Sequence, residues 1–227
     1  MDAKAIAASG KPVILIDTCS ILDVMRDPTR DTMRIHEHQA GLDLLVAAEG
    51  GRLACVVAHQ VKVEFAEHDQ SIQDEASRVL KKLISQINRV NQLSAILGAP
   101  GALNFTHLDD HVARTRSLVG RWLTLFVTYK PDTAVLEKAI TRMNGNIAPA
   151  RRAKESSKDC IIFETYLSFS SMLRAEGLTA PIVLLSSNIS EYVTEGSFLK
   201  ADIATDLAKF SVEYAPNMAA AKHLLGI

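Results

Sequence analysis

The chain has no apolar run of the roughly 20 residues needed to cross a membrane. Residues 1–11 hold two lysines and several alanines but no apolar core long enough for a signal peptide, and read as a short, poorly ordered leader. Cysteine is scarce: Cys19, Cys55 and Cys160 are an odd number without C-x-x-C spacing, each in or beside an apolar segment. That pattern suggests reduced, mostly buried thiols in a cytoplasmic protein. Excess charge is also missing. A formal net charge of −1 provides no global drive toward nucleic acid, so any basic surface must be local. No internal repeat or low-complexity tract is present.

What remains is a well-packed globule. With 227 residues and 48% hydrophobic content, the chain suits one large domain or one domain with an insertion. Its organising stretch is Val13-Ile14-Leu15-Ile16-Asp17-Thr18-Cys19-Ser20. Four consecutive apolar residues predict a strand buried on both faces of a parallel sheet. Asp17 at its carboxyl end sits where open α/β sheets place their ligands. Thr18, Cys19 and Ser20 suit the cap of a following helix, so Asp17 reads either as a helix cap or as a ligand.

Leu53 to Val57 predicts a second buried strand, after a helix over 34–49 closed by Gly50-Gly51. A helix follows over 58–68, with Val61 and Phe65 on one face and Glu64 near the strand end; taken alone, a glutamate there is usually solvated. Residues 71–97 form a further helical stretch, and the broken helical pattern to Pro149 reads as a helical insertion over about 70–150. The expected core is then 12–69 and 155–227 within a single domain spanning 1–227. Ser156 is a good N-cap and Asp159 occupies the capping-box position of the next helix, unless its carboxylate serves a site. Pro181 to Leu185 predicts a third buried strand, running into Ser186-Ser187-Asn188.

From Val112 to Lys158 ten Lys and Arg residues face only Asp132, Glu137 and Glu155. A local surplus suits phosphate contact, and a solvated helical face explains it equally well. Arg151, Arg152, Lys154 and Lys158 are the sharpest part because they flank Asp159. Two histidine pairs carry less. His107 and His111 have helical i, i+4 spacing without the glutamate of a zinc-protease helix, and His36 and His38 have no third partner.

Asp17, Glu64, Asp159 and Asn188 each stand near a strand end or helix start, and on one sheet edge they converge. Carboxylates held close must bind protons or cations, and hard oxygen ligands select Mg²⁺ or Mn²⁺. The stretches Ile14 to Cys19, Val61 to Phe65, Lys158 to Ile162, and Leu185 to Asn188 with Glu191-Tyr192 resemble the four motifs of PIN domains. These are metal-dependent nucleases that include the ribonuclease toxins of bacterial toxin–antitoxin pairs. The resemblance covers 13–68 and 156–225.

It implies a three-layer α/β/α fold with a central parallel sheet and a helical insertion, and a Mg²⁺- or Mn²⁺-dependent endoribonuclease. Asp17, Glu64 and Asp159 match the core acidic positions as metal ligands, and Asn188 the fourth catalytic position. Ser186 matches the usual hydroxyl, with Thr18 and Glu164 as accessory groups. Arg151, Arg152, Lys154 and Lys158 would contact RNA or single-stranded DNA. An antitoxin-like partner and a homo-oligomer are compatible with the resemblance. Cys19 departs from the family's usual asparagine, which puts a side-chain hydrogen bond from that position in doubt. The alternative is a catalytically degenerate nucleic-acid-binding or regulatory PIN-like module.

Overall fold

The computed structural model describes residues 2–31, 34–151 and 155–227. Five parallel strands form one sheet in the order β3-β2-β1-β4-β5. They are β1 (Val13–Ile16), β2 (Ala54–Ala58), β3 (Val127–Tyr129), β4 (Ile182–Leu185) and β5 (Val212–Ala215). Every residue of β1 and β4 is buried, as their unbroken apolar runs require. Burying each such side chain contributes about 1.5–3 kcal/mol. β1 lies between β2 and β4. The chain leaves β1 toward β2 and β3, then returns to its other side, making the crevice between the carboxyl ends of β1 and β4 the topological switch point.

Right-handed crossovers place helices on one face for β1-to-β3 and on the other for β3-to-β5. The first face carries α3 (Ile35–Glu49), α5 (His111–Leu125) and the terminal α10 (Met218–Leu225), which packs on α3. The second carries α6 (Thr133–Asn144), α7 (Ser157–Ala175) and α9 (Ala201–Ala208). Short helices α2 (Thr18–Leu22) and α8 (Ile189–Tyr192) begin where β1 and β4 end. This is the expected three-layer α/β/α architecture.

Three details differ from the sequence reading. Residues 3–8 are not a loose leader but helix α1, capped by Asp2, with Ala3, Ile6 and Ala7 buried. That apolar stripe docks on α7. The two helices expected over 58–97 are one 38-residue helix, α4 (His59–Ile96). No glycine or proline interrupts it, and side-chain pairs Gln73–Asp69 (2.8 Å) and Gln70–Asp74 (2.9 Å) bridge the expected break. The stretch 70–150 holds the rest of α4, then α5 and α6 joined by loops, and also β3, an edge strand pairing Val127 with Val56 and Tyr129 with Ala58. Three residues are too few to show a strand period.

One buried side chain locks the layers together at the carboxyl edge. Tyr166 of α7 donates its hydroxyl to the carbonyl of Ile16 (2.5 Å) and accepts from the amide of Ala58 (3.2 Å). Tyr166→Phe should therefore destabilise the fold by about 1–3 kcal/mol, the cost of leaving buried backbone groups unpaired. Urea unfolding measures it. An unchanged midpoint would mean these groups are satisfied without the tyrosine.

Candidate active site

Asp17 leaves β1 directly into α2 and is both cap and site residue. Its Oδ1 accepts from the Thr18 amide (2.7 Å), while Oδ2 accepts from the Ser186 hydroxyl (2.6 Å) and the Cys19 thiol (3.2 Å). The hydrogen bond placed in doubt at position 19 is thus made by sulfur. Burial pushes the Cys19 thiol up to about 12, so it stays protonated as a donor. The Ser186 bond joins the ends of β1 and β4 across the switch point, and Tyr214 holds the Ser186 carbonyl from β5 (2.8 Å).

Glu64 sits in the second turn of α4. The Thr18 hydroxyl donates to its Oε2 at 2.6 Å, linking it to the Asp17 turn. Asp159 stands in the first turn of α7 and does not form the anticipated capping box. The Ser156 hydroxyl instead accepts from the Arg151 amide (3.2 Å). Asp159 shares a hydrogen bond with Glu191 of α8, and also feels the charges of Asp17 and Glu64. A bond between two carboxyl groups needs a proton on one of them.

Burial, followed by the Glu191 charge, pushes Asp159 up to about 8. Burial likewise raises Asp17 against the opposing pull of its hydrogen bonds. Glu64 is raised mainly by burial, with Asp17 adding to it. The three acids expected from the sequence therefore form one electrostatic cluster, with Glu191 as its fourth member. Glu191 is fully buried, and the fourth motif assigned it no role. A signal was present in that motif: it precedes Tyr192, which stacks on Tyr214 (5.3 Å) and meets Phe163 edge-on (5.9 Å), fixing how α8 faces the site. Tyr166 was also legible in principle, because seven residues after Asp159 lies on the same helix face.

The other expected residues make these contacts. Asn188 is the N-cap residue of α8: its amide donates to Ser186 Oγ (3.3 Å), its Oδ1 accepts from Ser190 (3.2 Å), and it also lines a neighbouring cleft. Glu164, expected as an accessory acid, is bound by Arg142 (2.6 Å) in a buried cluster. Arg142 also holds Asp206 (2.5 Å) and the Ala148 carbonyl and stacks on Phe163. Lys158 is exposed and paired with Glu67 (2.7 Å), and Arg151 reaches Ser190 (3.0 Å). Arg152 and Lys154 lie outside the described residues.

Among the described residues, no three His, Cys, Asp or Glu side chains already form a ready-made ligand shell. The donor set nonetheless fits a hard cation. The partners of Asp17 and Glu64 are hydroxyl, thiol and amide donors, which orient an anion without neutralising it. Asp17, Glu64, Asp159 and Glu191 supply carboxylate oxygens, the donor type a hard divalent ion takes.

The sequence model of the PIN domain matches residues 14–192. That match spans the central region the four motifs skip and ends just past Glu191. No curated protein and no solved structure matches the chain. A match over well over half of its 227 residues, on an all-parallel sheet with acids gathered at the switch point, shows that the chain belongs to the PIN domain family.

Proposed function

We propose that this PIN domain is a Mg²⁺- or Mn²⁺-dependent nuclease that hydrolyses phosphodiester bonds, with RNA as substrate. PIN domains are in general nucleases that use divalent metal ions, and the metal identity and the RNA substrate are our reading for this chain. The observation that carries it is the cluster of four acids at the sheet edge, in which burial, with neighbouring carboxylates adding to it, raises Asp17, Glu64 and Asp159. Asp17, Glu64, Asp159 and Glu191 would hold the ion, which supplies positive charge to the phosphate oxygens during hydrolysis.

The chain's own residues set the geometry around that ion. Ser186 and Cys19 fix the Asp17 carboxylate, and Thr18 fixes Glu64. Asp159 and Glu191 would hold the ion once their shared proton is lost. Three free thiols, of which Cys55 and Cys160 are buried, suit the reducing cytoplasm.

The test incubates purified protein with labelled RNA and single-stranded DNA in Mg²⁺, Mn²⁺ or EDTA. Asp17→Asn should lower metal-dependent cleavage at least about 100-fold, since even outer-shell partners of metal ligands contribute 10–100-fold. Equal cleavage by the two proteins would sink the assignment. Binding in Ca²⁺ with no cleavage in Mn²⁺ would favour a regulatory module.

The acid cluster also sets a pH dependence. Asp159 holds its proton to about pH 8 in the fold, against 3.8 ordinarily. The stability contributed by that protonated carboxyl is complete below about pH 4 and is lost as pH rises through 8. In EDTA the melting temperature should fall between about pH 5 and 8, and Asp159→Asn should flatten that fall. The variant's gain at pH 8 would be about 2–4 °C for each kcal/mol of repulsion removed. Coincident melting curves for wild type and variant at pH 8 would contradict the shared-proton arrangement.

A further inference from the structure

Beside the carboxylates, on the same sheet edge, lies a cleft of about 420 Å³ lined by residues including Cys19, Asp23, Arg26, Arg30, Asn188 and Asn217. The size falls in the range of small-molecule sites. Two cations from the segment after α2 meet there on one carboxylate. Arg30 Nη2 is 3.1 Å and Arg26 Nε 3.4 Å from Asp23 Oδ1. The other oxygen of Asp23 accepts from the Ser187 hydroxyl (2.5 Å). The remaining acid of the wall, Glu37, accepts from the Arg34 amide (3.0 Å) at the start of α3.

Among the described residues, the Nε groups of both arginines are buried without a hydrogen-bond partner, the approach of Arg26 to Asp23 being an ion pair only. Two guanidinium groups against one shared carboxylate put more positive charge in this part of the cleft wall than Asp23 alone neutralises. Paired guanidinium groups match the oxygens of a phosphate better than any other common anion except carboxylate.

The position gives the ligand its meaning. Cys19 belongs to both places: its thiol holds Asp17 Oδ2, and its surface lines the cleft. The wall between the two is stitched by Ser187 N to Ser20 Oγ (3.0 Å). A polyanion laid across four acids is repelled there and needs an attractive hold next to them. We infer that the Arg26–Arg30 cleft is a phosphate site that grips the phosphodiester neighbouring the one to be cut. This rests on the nuclease reading for its substrate, and on the cleft alone for its chemistry.

The experiment uses the full chain in EDTA and the double variant Arg26→Gln/Arg30→Gln, with Lys209→Gln as a distant control for the removal of positive charge. Thermal melting with inorganic phosphate against chloride at equal ionic strength reads the cleft by itself. Anisotropy of a labelled single-stranded RNA decamer reads strand binding. Wild type and Lys209→Gln should be stabilised by phosphate by a few degrees, and the double variant should not respond. RNA affinity should fall about tenfold in the double variant, and the slope of log affinity against log salt should fall by about 0.7 for each phosphate no longer neutralised.

Arg30→Lys, which keeps the charge but not the fork, should recover only part of the RNA affinity. A double variant that folds like wild type and matches it in both arms overturns the inference. A phosphate response without an RNA effect overturns the strand-gripping role, because the ligand is then a free or terminal phosphate. Both arms responding in a protein that cleaves nothing sinks the nuclease reading and leaves the phosphate site standing.

Discussion

The Tyr166 hydroxyl is the contact on which the site's geometry depends. Ile16, whose carbonyl it donates to, immediately precedes Asp17, and Ala58, whose amide it accepts from, immediately precedes the helix bearing Glu64. Tyr166 itself is two helical turns beyond Asp159. One buried oxygen therefore fixes the relative heights of β1, β2 and α7, and with them the roots of three acids. Burial pushes the Tyr166 hydroxyl well above its ordinary value, so it remains a donor wherever the protein is folded. Hydrophobic packing alone positions a helix on a sheet loosely compared with a two-bonded polar anchor in a dry core.

Two acidic clusters in the same molecule show what separates a structural acid from a reactive one. Glu164 and Asp206 are bound to Arg142, a full positive charge, and the group is closed. Such a set is costly to break and has no capacity left for a ligand. At the switch point the partners of Asp17 and Glu64 are Thr18, Ser186 and Cys19, neutral donors that hold direction and leave charge. The proton shared by Asp159 and Glu191 is displaceable in a way that Arg142 is not. In the sequence only helical phase separates these sets, since Glu164, five residues after Asp159, lies about 140° around the same helix.

What was legible in the sequence follows from range. The runs Val13–Ile16 and Ile182–Leu185 and the acid after the first of them are local signals, and they gave the sheet and Asp17. β3 was hidden because its three residues are stabilised by pairing with β2, about 70 residues away in sequence. α1 was hidden because a six-residue helix has no stability of its own and forms only by docking on α7. Glu191 was passed over because Asn188 occupied the motif position, whereas the four-residue helix α8 turns the later side chain toward Asp159.

The same distinction decides where the chain is positively charged. Counted along residues 112–158, basic residues far outnumber acids, yet much of that surplus is neutralised by acids brought from elsewhere. Arg116 meets Asp69 (2.9 Å), Arg121 meets Glu49 (2.8 Å), Lys158 meets Glu67 (2.7 Å) and Arg142 is buried between Glu164 and Asp206. Arg26 and Arg30, unremarkable in a linear count because Asp23, Asp27 and Asp31 surround them, end up sharing a single carboxylate oxygen beside the site. Linear charge patterning measures composition, whereas the field felt by a ligand depends on which charges fold onto each other. With a net charge of −1, the chain cannot attract a polyanion at long range. Whatever hold it has on a phosphate chain must come from a few donors at short range, aligned and partly desolvated, where each is worth most.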